Sequence, residues 1–221
     1  MESIRPKTLS IKLDGLALNG DLGIPENPIG MVIFSHGSGS SRLSPRNKFV
    51  ADVLQQKGLA TLLFDLLTED EDRVYNNRFN IDILTMRLID VTQFIQQQND
   101  MKVLPIGYFG ASTGAASALR AAAHFEKDIK AIVSRGGRPD LALKDLYKVT
   151  APTLLIVGGW DGVVIELNQE AYEKLNCEKK LEIVPQATHL FEEPGKLEEV
   201  ARLSADWFAS HLPTEKNRKN V

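Results

Sequence analysis

Apolar residues in this chain fall into short unbroken runs that alternate with longer stretches of helical spacing. The run 29-IGMVIFSHG-37 is apolar almost throughout and breaks into the glycine and serine stretch 37–41. A run of this kind, bounded by turn residues, predicts a strand buried on both faces, as in parallel sheets. The segment 45–58 has apolar side chains at 49, 50, 53 and 54 and ends in Gly58, which predicts an amphipathic helix with a glycine stop. The pairing then recurs. Strands predicted at 59–67, 102–110, 129–137, 153–159 and 180–185 each precede a helix, at 83–98, 112–125, 139–149, 165–176 and 195–211. Two further strands, 3–12 and 16–23, flank Asp14-Gly15, a dipeptide suited to a tight hairpin.

This alternation predicts an α/β fold. Its core is a twisted, mostly parallel sheet of eight strands with helices on both faces and an antiparallel hairpin at the N-terminal end. Residues 1–213 read as one domain and 214–221 as a polar tail. Residues 68–82 read as a polar loop, with Glu69, Asp70, Glu71 and Asp72 solvated and Tyr75 and Phe79 offering an apolar wall. Between Gly137 and the next strand there is room for one short helix, so no large lid is expected.

Composition narrows the function. The 221 residues are 43% apolar and 25% charged, as in an ordinary soluble globule. A net charge of -3 argues against a general nucleic-acid binder, which shows a basic face. No run approaches the roughly 18 apolar residues of a membrane span, and no secretory leader is evident. The single cysteine, Cys177, excludes an internal disulfide and any multi-cysteine metal site. A cytoplasmic protein without metal or cofactor is expected; oligomeric state is not legible.

In open α/β sheets ligands bind at the carboxyl ends of the strands. One such end, 107-GYFGASTGAA-116, contains Gly110-x-Ser112-x-Gly114 between a predicted strand and a predicted helix, the context a nucleophile elbow requires. The small residues Gly110, Gly114, Ala115 and Ala116 let the helix turn back tightly over the strand. Ser112 also suits a plain helix cap. A second tip, 157-VGGWDGVV-164, carries Asp161 with Trp160 placed to cover it; an Asx turn or helix cap is the alternative. A third, 183-IVPQATHLF-191, carries His189. His124 and His211 fall near helix ends, and Asp65 is a rival acid at another strand end. Serine, acid, histidine is the chain order of the α/β-hydrolase triad. Ser112 is therefore expected as nucleophile, His189 as general base and Asp161 as the acid that orients it.

The stretches 33-IFSHGSGSS-41, 107-GYFGASTGAA-116, 158-GGWDGVV-164 and 185-PQATHLF-191 together resemble the α/β-hydrolase superfamily, and within it the dienelactone-hydrolase-like branch of small hydrolases. The resemblance implies that His36-Gly37 shapes an oxyanion loop and that Ser38 and Thr113 lend backbone N–H groups to the oxyanion. Dienelactone hydrolases themselves use a cysteine nucleophile, whereas this chain has Ser112, and Cys177 lies beyond a predicted helix. The implied activity is hydrolysis of small carboxylic esters through an acyl-enzyme. Thioester or lactone hydrolysis by the same groups, and a non-catalytic binding protein on the same fold, are the alternatives. Arg42, Arg46, Arg135 and Arg138 lie near strand tips, where they either receive an anionic part of the substrate or pair with local acids. The glycine loop 37–41 lacks the Lys-Ser/Thr ending of a phosphate loop.

Overall fold

The computed structural model describes residues 4–212; the tail 214–221 lies outside them. The strands are β1 (Lys7–Leu13), β2 (Leu16–Gly23), β3 (Gly30–Ser35), β4 (Leu59–Phe64), β5 (Ile106–Ala111), β6 (Ile129–Arg135), β7 (Thr153–Gly158) and β8 (Lys179–Val184). They form one sheet in the order β1-β2-β4-β3-β5-β6-β7-β8. The hairpin pairs antiparallel and β2 continues antiparallel onto β4; every other pairing is parallel. β3, β4, β5 and β7 are buried at every position, which is why their sequences run apolar without alternation.

Helices α1 (Pro45–Gln56) and α6 (Lys196–His211) cover one face, and α3 (Ile81–Gln97), α4 (Thr113–Phe125) and α5 (Gly162–Lys174) the other. Successive strand residues supply the two cores in turn. Ile33 and Tyr108 pack with Leu88, Val91 and Leu119, while Phe34 and Phe109 pack with Val50, Leu54, Val200 and Phe208. The Tyr108 hydroxyl is fully buried and satisfied by Thr92 Oγ1 at 2.8 Å. No helix among the described residues is long and apolar enough to cross a membrane.

Three segments differ from expectation. Residues 68–82 contain a four-residue helix, α2 (Glu69–Asp72), followed by a 3₁₀ turn at Tyr75–Phe79. Thr68 and Glu71 form a reciprocal cap at the start of α2, and Glu71 also binds Arg87 at 2.6 Å, so this acid is not simply solvated. So short a helix carries no apolar stripe, and periodicity cannot announce it. Segment 139–149 folds as two 3₁₀ turns, Pro139–Ala142 and Leu146–Lys148, rather than one helix, and buries Ala142, Leu146 and Val149. It forms no lid. β5 starts at Ile106, later than the apolar run suggests, because Pro105 has no N–H for the ladder; its carbonyl accepts from Met31 N–H at 2.9 Å.

Candidate active site

The turn from β5 to α4 holds Ser112 at φ 51° and ψ −122°, a left-handed conformation costly for any residue with a side chain. Close packing imposes it. A Cβ on Gly110 would stand 2.7 Å from the Gly114 carbonyl oxygen, and one on Gly114 would fall on the carbonyl oxygens of Ser35 and His36. The two glycines of the motif thus let α4 press against β5 and β3 at once. Gly37 faces the same point, since a Cβ there would lie 3.1 Å from Ser112 Cβ. Ser112 N–H donates to Arg135 O at 3.2 Å, and Arg138 N–H donates to Ser112 O at 3.0 Å, which ties the elbow to the tip of β6.

The tips of β7 and β8 close on the same region. Gly158 admits the backbone of Ala187 and Thr188, and Trp160 N–H donates to Ala187 O at 2.9 Å. This seam sets Asp161 Oδ2 2.6 Å from His189 Nδ1. A carboxylate only accepts, so Nδ1 carries the proton and Nε2 presents its lone pair. The imidazole is 38% exposed and the carboxylate 17%. Gly136, at φ 50°, lies against the ring: a Cβ there would stand 3.5 Å from His189 Nδ1. Ser112 and His189 therefore both meet the end of β6. Asp161 and His189 are thus hydrogen-bonded to each other, whereas Ser112 Oγ makes no hydrogen bond to a described residue, the imidazole included. Hydrogen bonds of this type are often long until substrate binds.

The loop expected to shape an oxyanion hole is tied by a side chain. Ser38 N–H donates to Thr113 Oγ1 at 2.9 Å, while Thr113 N–H, in the first turn of α4, has no intrahelical acceptor. His36 is buried; its Nδ1–H donates to Gly37 O at 2.9 Å and its Nε2 accepts from Leu66 N–H at 3.1 Å. Burial holds its proton affinity below the usual histidine range, which the Gly37 carbonyl and the charge of Asp65 offset only in part. His36 thus sews the tip of β3 to that of β4 as a neutral ring. Beside this loop a cavity of about 210 Å³ is walled by His36, Ser40, Arg42, Asp65, Thr68 and Asp72 among others, and Ser112 is not among its walls.

Of the remaining candidates, Arg42 is held by Asp65 at 2.8 Å and Asp21 at 3.5 Å, which also occupies the rival acid Asp65. Arg138 grips Asp140 with two bonds of 2.9 and 2.8 Å, and Arg46 pairs with Glu192 at 2.9 Å. Trp160 is 63% exposed. Tyr75 and Phe79 are exposed and stack on each other. Cys177 is half-buried and near Thr153, at the far end of β7 from Asp161. His211 bonds Trp207 O and Glu178. Among the described residues no group of three or more histidines, cysteines or acids is arranged to hold a metal ion.

The model of the dienelactone hydrolase family matches residues 19–212. The chain belongs to the dienelactone hydrolase family. The crystal structure of a dienelactone hydrolase from Anabaena variabilis is 50% identical to this family member, with a TM-score of 0.92 over 96% of this chain and 100% of that one. Est1E from Butyrivibrio proteoclasticus shares the fold at 19% identity and a TM-score of 0.79, over 92% of this chain and 98% of its own. A protein of Mycobacterium tuberculosis, provisionally named a phosphoribosyl transferase, is 55% identical over 209 residues, 95% of this chain and 47% of its own length. The chain spans about half the length of the curated relatives it matches.

Two fasteners of this family member's site escaped the sequence reading. Ser35 Oγ and Ser117 Oγ meet at 2.7 Å in the core, and Ser117 also donates to Gly114 O at 2.9 Å, which pins the first turn of α4 to β3. The fully buried Asn168 donates to Gly137 O at 3.0 Å and so ties α5 to the loop after β6. Each is a polar residue at an apolar position of its run, and that was the available signal.

Proposed function

We propose that the chain is a serine hydrolase that cleaves small carboxylic esters through an acyl-enzyme. The observation that carries this reading is the 2.6 Å Asp161–His189 bond, seated at the strand tip that also receives the strained Ser112. In the proposed reaction His189 Nε2 takes the Ser112 proton as Oγ attacks the ester carbonyl. Asp161 holds the tautomer and steadies the imidazolium. The oxyanion forms against Thr113 N–H and Ser38 N–H, the latter exchanging Thr113 Oγ1 for the more charged acceptor. The proton passes from His189 to the leaving alcohol, and water then repeats the sequence to release the acid and restore Ser112. Residues Ser112, Asp161, His189, Thr113 and Ser38 carry every step, so no cofactor is invoked. The absence of a lid among the described residues supports small, freely diffusing substrates, and the lone Cys177 supports a reducing compartment such as the cytoplasm.

The transferase chemistry in the Mycobacterium relative's name we assign to the part of that protein this chain does not match. A panel of aryl esters of increasing acyl length, with one thioester and one lactone, tests the reading on wild type and Ser112→Ala. Turnover and fluorophosphonate labelling that both vanish in Ser112→Ala are expected. Labelling that persists in the variant would place the nucleophile elsewhere than Ser112, and wild-type protein inert to all substrates and to the probe would leave a binding role on the same fold.

A further inference from the structure

The sheet has two outer strands, β1 and β8, and among the described residues neither has a strand on its outer side. Such an edge is a row of unused N–H and carbonyl groups that another strand can extend, and lysines commonly guard it. β1 carries lysine as its only charged residue type, at Lys7 and Lys12, which is that guard in its plain form. β8 carries both signs. Its first lysine does not stand over the edge: Lys179 Nζ donates to Tyr172 O and Leu175 O, both at 2.6 Å, and so folds back onto the end of α5. Lys180 and Glu182, with side chains 57% and 30% exposed, share an ion pair of 2.6 Å along the strand. Ile183 beside them is an exposed apolar side chain. The pleat sends Leu181 and Ile183 to the α5 side of the sheet, and Lys180, Glu182 and Val184 to the α6 side.

The backbone bonds to β7 show which groups remain open. Thr153 N–H donates to Glu178 O and Gly159 N–H to Val184 O, both at 2.8 Å, and the register between the two strands runs without a break. Residues 178, 180, 182 and 184 therefore turn their N–H and carbonyl groups to β7, and Lys179, Leu181 and Ile183 turn theirs outward. We propose that β8 pairs antiparallel with β8 of a second copy of this chain, about a two-fold axis at Leu181, and joins the two sheets into one. In that register Leu181 exchanges both backbone bonds with Leu181 of the second copy, and Lys179 does the same with Ile183 at either end, so every outward group is used. Lys180 of each copy stands opposite Glu182 of the other, at the positions where facing side chains come closest. Moving the axis by one residue sets Lys180 against Lys180 or Glu182 against Glu182. Moving it by two shortens the ladder, toward Ile183 by bringing Pro185, which has no N–H, opposite Leu181. The edge is thus complementary in charge to itself, as a two-fold contact requires. The two copies run in opposite directions, so their candidate active sites open at opposite ends of the joined sheet. The pairing does not depend on the proposed hydrolysis.

Sedimentation velocity of the full chain over a dilution series tests this, with a species of twice the 24.5 kDa chain mass expected. Lys180→Glu and Glu182→Lys each set two pairs of like charges face to face, and each is expected to raise the dissociation constant about 10-fold or more. The double variant Lys180→Glu/Glu182→Lys exchanges the signs and is expected to return to the wild-type value. An equimolar mixture of the two single variants is expected to form the mixed dimer more tightly than either forms its own. Hydrogen exchange on wild type makes the test without a substitution, should a variant fail to fold. The outward amides of Leu181 and Ile183 are expected to be protected in concentrated protein and to exchange on dilution, while the Glu182 amide, turned to β7, stays protected in both. A wild type that is monomeric throughout the series overturns the proposal, as does a dimer indifferent to both charge reversals or one whose Leu181 amide exchanges freely. Weakening in the single variants without recovery in the double overturns the register.

Discussion

Replacing Asp161 by asparagine probes the centre of the proposed mechanism. In the present geometry the carboxylate accepts from His189 Nδ1–H at 2.6 Å and leaves Nε2 unprotonated. An asparagine amide that donates to Nδ1 reverses this: the proton moves to Nε2, and the ring can no longer take one from Ser112. In a buried triad such a change costs about 10⁴-fold in kcat. Here the imidazole is 38% exposed, so water can steady part of its charge. We therefore expect a loss nearer 10³-fold, or about 4 kcal/mol of barrier. The measurement is kcat on a short aryl ester, with the rate of fluorophosphonate labelling as a second readout. The melting temperature should move little, because the seam between β7 and the 187–189 loop is made by backbone groups at Gly158, Trp160 and Ala187. A loss below 10-fold in a normally folded variant would refute Asp161 as the orienting acid.

Thr113→Val deletes the acceptor of Ser38 N–H and should lower kcat/KM about 10-fold and stability by about 1 kcal/mol, with Thr113→Ser close to wild type; equal values for valine and serine would remove the hydroxyl from the loop's support. His36 yields a pH signature. Its folded proton affinity lies below the ordinary value of 6.5, so on acidification the unfolded chain binds the proton first; stability is full above about pH 6.5 and falls as pH drops toward the lowered folded value. Melting curves from pH 8 to pH 5 should show this slope in wild type and a shallower one in His36→Gln; identical slopes would contradict the neutral, buried ring. Ser112→Gly should melt above Ser112→Ala, since glycine relieves about 1–3 kcal/mol of backbone strain at φ 51° while adding somewhat less than 1 kcal/mol of unfolded-state entropy; the reverse order would show the turn to be unstrained.

The fold was legible because its strands are buried on both faces and spell themselves out as apolar runs ending at chemistry-bearing tips. Ser112, Asp161 and His189 stood out for the same reason: each follows its own run, and a G-x-S-x-G spacing has a steric meaning that Gly110 and Gly114 display directly. What stayed hidden depends on partners distant in sequence. Nothing near Ser38 announces that its N–H meets a hydroxyl 75 residues away. The arginines at the strand tips read alike in sequence, and only packing separates Arg42, with its two carboxylates, from Arg135, with none among the described residues. The helix α2 and the paired 3₁₀ turns were missed because a single turn held by a cap leaves no periodic trace.

The pose of residue 112 owes nothing to its own side chain. Neighbouring glycines and backbone bonds to Arg135 and Arg138 create it, and the hydroxyl holds no part of the turn together. Scaffold and side chain are thus decoupled at this one position. A thiol or a carboxylate substituted there would inherit the same presentation, and the molecule could trade one side chain for another while its architecture stayed unaltered.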